Sequence, residues 1–125
     1  MGYLLDTHVI LWWFTTPEEI HKRARNIIEN VEESIFISTV SLWEMAIKQS
    51  IGRLTLPAQL LTLITKAGFQ TLPILPEEGL SVADLPLLHQ DPFDRLLIIQ
   101  AKLHNLVLLT RDNKIKQYTV PIIEA

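Results

Sequence analysis

A chain of 125 residues, 48% of them hydrophobic, has the size of one domain and enough apolar material for a core. Its net charge of −3 argues against a strongly basic protein that coats nucleic acid, but not against an enzyme whose acidic site is neutralised by bound cations. The absence of cysteine excludes disulfides and thiolate-held metal, and the longest apolar run, Val9 to Phe14, falls far short of the roughly 20 residues of a membrane helix.

Along the chain, Tyr3-Leu4-Leu5 reads as a strand that ends at Asp6-Thr7-His8. Val9 to Phe14 starts a helix, and Thr15-Thr16-Pro17 breaks it. Thr16 is placed to cap a second helix, with Pro17 at its first position and Glu18-Glu19 where the helix dipole favours negative charge. That helix is expected to run to about Val31, with Ile20, Ala24, Ile27, Ile28 and Val31 at helical spacing. Ile35-Phe36-Ile37 is a second strand, and Ser38 or Ser41 caps a third helix that runs through Ile51 and ends at Gly52. Pro57 opens a fourth helix through Lys66. Phe69 to Ile74 forms a third strand, shortened by Pro73, and Pro76 to Leu85 a fifth helix. Asp91 caps a sixth helix with Pro92 at its first position, followed by the apolar stretch Leu96 to His104. Val107-Leu108-Leu109 is a fourth strand leading into Thr110-Arg111-Asp112. One helical turn within Asn113 to Tyr118 and a last strand over Val120 to Ile123 complete the series.

Strands that alternate with helices across short connections imply a mostly parallel sheet covered on both faces. The expectation is a single three-layer α/β/α domain over residues 1–125, with no linker. In such a fold, ligands bind outside the carboxyl ends of the strands.

Four acids are offered to that edge. Asp6 follows the first strand, Asp112 follows the fourth, Asp94 opens the sixth helix, and Glu44 lies in the first two turns of the third. Val40, Trp43, Ile47 and Ile51 define the expected buried face of that third helix, which Glu44 borders or joins. Each acid also has an ordinary explanation. Asp6, Asp91 and Asp112 suit helix or turn caps. Glu44 suits a capping box with Ser41 or an i, i+4 pair with Lys48. Taken together the acids point elsewhere, because two carboxylates about 4 Å apart repel by roughly 4 kcal/mol at an effective dielectric of 20. A hard divalent cation relieves that cost, and carboxylate oxygens suit Mg²⁺ or Mn²⁺.

The four stretches Leu4-Leu5-Asp6-Thr7-His8, Ser38-Thr39-Val40-Ser41-Leu42-Trp43-Glu44, His89-Gln90-Asp91-Pro92-Phe93-Asp94-Arg95 and Leu109-Thr110-Arg111-Asp112 resemble, in this order, the motifs of the PIN-domain ribonucleases. The resemblance is to the VapC-type toxins of toxin–antitoxin pairs and spans essentially the whole chain. It implies a parallel-sheet α/β/α fold and Mg²⁺-dependent RNA cleavage that leaves a 5′-phosphate and a 3′-hydroxyl. It also implies a homodimer and a cognate antitoxin in the cytoplasm. Asp6, Glu44 and Asp94 are the implied acidic triad, with Asp112 the more variable fourth member. Thr7 and Thr110 are candidates to hydrogen-bond a metal-bound water or the scissile phosphate, and Arg95 and Arg111 candidates to contact RNA phosphates. The four histidines are not at zinc-ligand spacings, although His8 and His89 fall near the acids. The basic clusters Lys22, Arg23, Arg25 and Arg111, Lys114, Lys116 read as solvated faces. Trp12 and Trp13 point to different sides of the first helix, so the first two helices are the expected partner groove.

Other readings fit less well. A dehalogenase-type phosphatase needs a second acid two residues after the first, where this chain has His8. A phosphorelay receiver needs an acidic pair and a late lysine. A scaffold that kept the fold without activity has no reason to retain all four acids.

Overall fold

The computed structural model describes all residues, Met1 to Ala125. Five strands form one sheet: β1 (Gly2–Leu5), β2 (Ser34–Ser38), β3 (Gln70–Leu72), β4 (Val107–Thr110) and β5 (Ile122–Glu124). They are all parallel, in the order β3-β2-β1-β4-β5. The helices are α1 (Thr7–Thr15), α2 (Lys22–Glu29), α3 (Thr39–Ser50), α4 (Leu60–Lys66), α5 (Pro76–Ser81) and α6 (Pro92–Leu103). None is long and apolar enough to cross a membrane.

β1 lies at the centre, with Leu4 opposite Phe36 on one side and Leu108 on the other. A strand covered on both faces needs apolar side chains at consecutive positions. Leu4 and Leu108 enter a core with Leu97, Ile98 and Ala101 of α6, whereas Leu5 and Leu109 enter an opposite core with Val9, Ile10, Ala24, Ile28 and Ile64. The alternation of one strand thus feeds two cores, and each fully buried Leu or Ile contributes roughly 1.5–3 kcal/mol.

The order of the strands fixes where a site can form. The chain steps from β1 outward to β2 and β3, then returns to place β4 on the other flank of β1. The crevice outside the ends of β1 and β4 is therefore the switch point at which parallel sheets bind ligands.

Several boundaries differ from the sequence reading. The expected helix from Pro17 to Val31 is a 3₁₀ turn, Pro17–Glu19, followed by α2. Ile20 between them is extended and buried, and the His21 N–H donates to the Ala125 carbonyl, so the backbone leaves the helix to meet the last strand. Val31 is 93% exposed, not part of a buried face. α4 begins at Leu60 because Gln59 adopts a left-handed conformation (φ 56°, ψ 43°). α5 ends at Ser81 and continues as a 3₁₀ turn, and the turn after Asp112 is also 3₁₀.

The largest correction concerns α3. Its buried residues are Val40, Ser41, Glu44 and Met45, while Trp43, Ile47 and Ile51 are exposed. The stripe that looked like core is solvent-facing, and the stripe that carries the carboxylate faces inward. Trp12 and Trp13 are both half-buried against the first core.

Candidate active site

Asp6 leaves β1 in the N-cap position of α1, yet its side chain makes no cap hydrogen bond. The Thr110 hydroxyl, at the end of β4, instead donates to Asp6 Oδ2 at 2.6 Å. The Asp6 N–H donates to the Leu109 carbonyl, which ties the two strand ends together. Burial raises the Asp6 carboxyl above its ordinary value, and the Thr110 bond opposes that rise.

Asp112, two residues beyond Thr110, divides its oxygens. Oδ1 accepts from the N–H groups of Lys114 and Ile115 and closes the following turn, while Oδ2 lies 3.7 Å from His89 Nε2. One oxygen thus caps the turn and the other faces His89. For Asp91 capping suffices: Oδ1 accepts from Phe93 N at 2.8 Å and Asp94 N at 3.1 Å.

Asp94, three residues inside α6, is buried and caps nothing; its Oδ2 lies 2.8 Å from His89 Nε2. On the other side of the ring the Asp91 N–H approaches His89 Nδ1 at 3.5 Å. Burial, then the charges of Asp6, Asp91, Glu44 and Asp112, push the Asp94 carboxyl up to about 8. Each of those four acids therefore lies close enough to Asp94 to act on it.

Glu44 is 4% exposed. Ser38, not Ser41, caps α3 by accepting from Val40 N, so no capping box forms. Glu44 Oε1 accepts from the Thr7 hydroxyl at 2.8 Å, and Oε2 from Lys48 Nζ at 2.8 Å. The helical pair with Lys48 is real, and Thr7 adds a link to the residue beside Asp6. Lys48 is held above its ordinary value chiefly by the Glu44 bond, with Asp91 and Asp94 adding to it.

Asp94, Asp112 and His89 offer ligand atoms that all lie within 4.8 Å of one another. Asp6 and Glu44 stand outside that tight group and join it through the threonine links and through charge. The donor set is dominated by carboxylate oxygens, which fits a hard divalent cation.

The four residues proposed from sequence to touch substrate have these partners within the chain. Thr7 and Thr110 orient Glu44 and Asp6. Arg95 is 7% exposed, and its guanidinium donates to the carbonyls of Val82, Leu85, Pro86 and His89 and to the Tyr118 hydroxyl. Those bonds hold the connection before α6, leaving no face for an RNA phosphate. Arg111, half-buried, lies 4.1 Å over the Trp12 ring and donates from one terminal nitrogen to the carbonyls of Glu19 and Ala125. His89, expected near the acids, contacts Asp94 directly, and Lys48, expected only as a surface partner of Glu44, holds that buried carboxylate.

Comparison with known proteins agrees with this geometry. The profile of the PIN domain family matches residues 3–121. Ribonuclease VapC22 of Mycobacterium tuberculosis (strain ATCC 25618 / H37Rv) is 28% identical over 121 residues, 94% of this chain and 92% of that protein. The VapBC2 crystal structure from Rickettsia felis, bound to a promoter DNA fragment, superposes with a TM-score of 0.74 at 16% identity, covering 99% of this chain and 98% of that one. DNA-bound VapBC from Salmonella typhimurium superposes with a TM-score of 0.66 at 14% identity, covering 99% and 98%. At these identities the two structures speak to the fold.

Proposed function

The chain belongs to the PIN-domain family, and from that footing we propose that it is a Mg²⁺-dependent endoribonuclease, the toxin of a VapBC-type toxin–antitoxin pair, working in the cytoplasm. The observation that carries the reading is the convergence of Asp6, Glu44, Asp94 and Asp112 on the switch point between β1 and β4, with Asp6 and Asp94 not consumed as caps. Kinship to a named ribonuclease supports the choice of RNA, and neighbours solved as toxin–antitoxin assemblies support a cognate antitoxin. The homodimer implied by the resemblance is supported by the apolar residues left exposed on α3.

Asp6 and Asp94 would hold Mg²⁺, or Mn²⁺ in its place, and Asp112 Oδ2 and Glu44 would complete the shell or orient the attacking water. When bound, the ion lowers the pKa of a coordinated water and offsets charge on the phosphate oxygens. The residues do the rest by position. Thr110 and His89 fix the carboxylates of Asp6 and Asp94, Thr7 and Lys48 fix that of Glu44, and burial keeps bulk water away. A water oxygen attacks phosphorus, the P–O3′ bond breaks, and the 3′-oxygen takes up a proton. RNA incubated with the purified protein and Mg²⁺ should be cut, leaving 5′-phosphate ends. Asp6→Asn and Asp94→Asn should each lose at least 100-fold in rate, on the order expected for removing a group central to the chemistry. Cleavage retained by either folded variant would end this assignment, and cleavage by neither variant nor wild type would favour an inactive PIN-like RNA-binding scaffold.

A further inference from the structure

Arg95 is committed inside the fold, so a cation that meets RNA beside the acidic centre has to be sought elsewhere. A groove of about 340 Å³, lined by His8, Leu11, Lys48, Arg53 and Leu54, opens between α1 and the end of α3. That volume is within the usual range for ligand clefts, about 300–1,000 Å³. Its polar lining is basic throughout, in a chain of net charge −3. It also adjoins the acids directly: Lys48 bonds Glu44 at 2.8 Å, and His8 lies two residues past Asp6 and acts on its charge.

The position of Arg53 is built in. The Arg53 N–H donates to the Lys48 carbonyl and the Gly52 N–H to that of Gln49, while Gly52 takes φ +75°. This is the Schellman ending of a helix, which needs a residue free to adopt the left-handed conformation and folds the next residue back against the last turn. Arg53 is thereby returned to the side of Lys48. It is exposed and its guanidinium has no partner. An i, i+4 pair explains Lys48 alone; it does not explain a second, unpaired cation held beside it by a helix terminus.

We propose that this groove is the seat of the single-stranded RNA backbone next to the scissile bond, with Arg53 neutralising one phosphate while Lys48 stays bonded to Glu44 beside it. Leu11 and Leu54 floor it and offer no hydrogen bonds to base edges, so the groove positions the strand without reading sequence. The proposal rests on the nuclease reading and gives it a direction of approach, along α1 and α3 and away from Arg95.

Salt dependence tests it. Each phosphate contact to a single strand adds about 0.7 to the slope of log affinity against log salt. Binding of a fluorescent single-stranded RNA would be measured in an Asp94→Asn background, to prevent cutting, and steady-state cleavage in the otherwise native protein. Arg53→Ala touches no internal bond and should lower the slope by about 0.7. In cleavage it should raise KM about two- to five-fold at low salt, in the range of an exposed ion pair, with kcat nearly unchanged. Arg53→Lys, which keeps the charge, should restore the slope. Lys102→Ala, an exposed cation on the last turn of α6, should leave the slope as it is. RNA cleavage by the wild type with slope and KM unmoved by Arg53→Ala would overturn the groove and leave the nuclease standing. Failure of the wild type to bind or cut RNA would overturn both.

Discussion

The molecule opposes ionisation of Asp94, first by burial and then by four neighbouring acids. The ordinary value of that carboxyl is 3.8 and its folded value about 8. Between those limits the folded chain keeps a proton that the unfolded chain has lost. Its contribution to stability is therefore full below the lower value and disappears as pH rises through the upper one. In chelator, the melting temperature should fall from pH 5 to pH 8.5, and Asp94→Asn should flatten that fall. Stabilisation by millimolar Mg²⁺ should grow over the same range, because the ion must displace the proton. A melting profile with the same pH slope in wild type and Asp94→Asn would refute this account of the residue. How legible these residues were in sequence depends on what each one needs. Asp6, Glu44, Asp94 and Asp112 could be named because strand ends and helix starts fix where their backbones lie. Glu44 was nearly misplaced, since α3 carries two stripes at helical spacing. Composition favoured Trp43, Ile47 and Ile51 as the inner one, whereas Ser41, Glu44 and Met45 face inward.

At the level of elements, the connection between α5 and α6 shows why the partners of Arg95 were not legible in sequence. It has no periodicity, so nothing in the sequence reveals that its carbonyls turn toward a single point. Arg95 fills that point from α6, and the Tyr118 hydroxyl joins it by accepting from the N–H groups of Leu88 and His89. This brace carries His89 to Asp94. A second brace crosses the other half of α6. Gln100 accepts from Ser38, the α3 cap, at 2.5 Å and donates to Glu78 of α5, which in turn contacts His104. Burial works against the Glu78 charge, but its bonds to Leu75 N, His104 and Gln100 hold the carboxyl below its ordinary value. Together the braces fix α3 and α6, the helices that bear Glu44 and Asp94. Arg95→Met would leave the carbonyls of the buried residues Leu85 and His89 without their donor, whereas those of Val82 and Pro86 keep others, and should cost about 3 kcal/mol. Chemical denaturation would read that loss, with a fall of roughly 10 °C in Tm. Lys102→Met, exposed on the same helix, should stay within about 0.5 kcal/mol of wild type. An Arg95→Met protein as stable as Lys102→Met would show that the brace carries no weight.

For the whole molecule, the sheet is sealed on both faces by the chain's own helices, and its two edge strands are only three residues long. Short edges discourage growth of the sheet from chain to chain, so assembly must use side chains. The parallel order and the layers were legible because continuous apolar strands and helical spacing both demand them; the outer surface was not, because period alone does not say which apolar stripe is left uncovered. Trp43, Ile47 and Ile51 run down the outside of α3 at intervals of four residues, 56%, 37% and 60% exposed. Trp43 stands edge-on to Phe93, 5.2 Å between ring centres, which holds it as a fixed ridge. A helix with such a ridge is self-complementary across a two-fold axis, the commonest symmetry of small assemblies. The proposed homodimer would then bury α3 against its copy, leaving the groove of Lys48 and Arg53, on the α1 side of the helix, open to RNA. Sedimentation at tens of micromolar should give twice the mass of the 14.3 kDa chain. Trp43→Glu should return the protein to one chain, while Leu61→Glu, an exposed apolar position on α4, should not. A wild type that sediments as one chain, or a dimer indifferent to Trp43→Glu, would remove α3 as the interface. RNA cleavage that survives in the monomeric Trp43→Glu variant would further place the whole catalytic set within one copy, as the links from Asp6 to Thr110 and from Thr7 to Glu44 require.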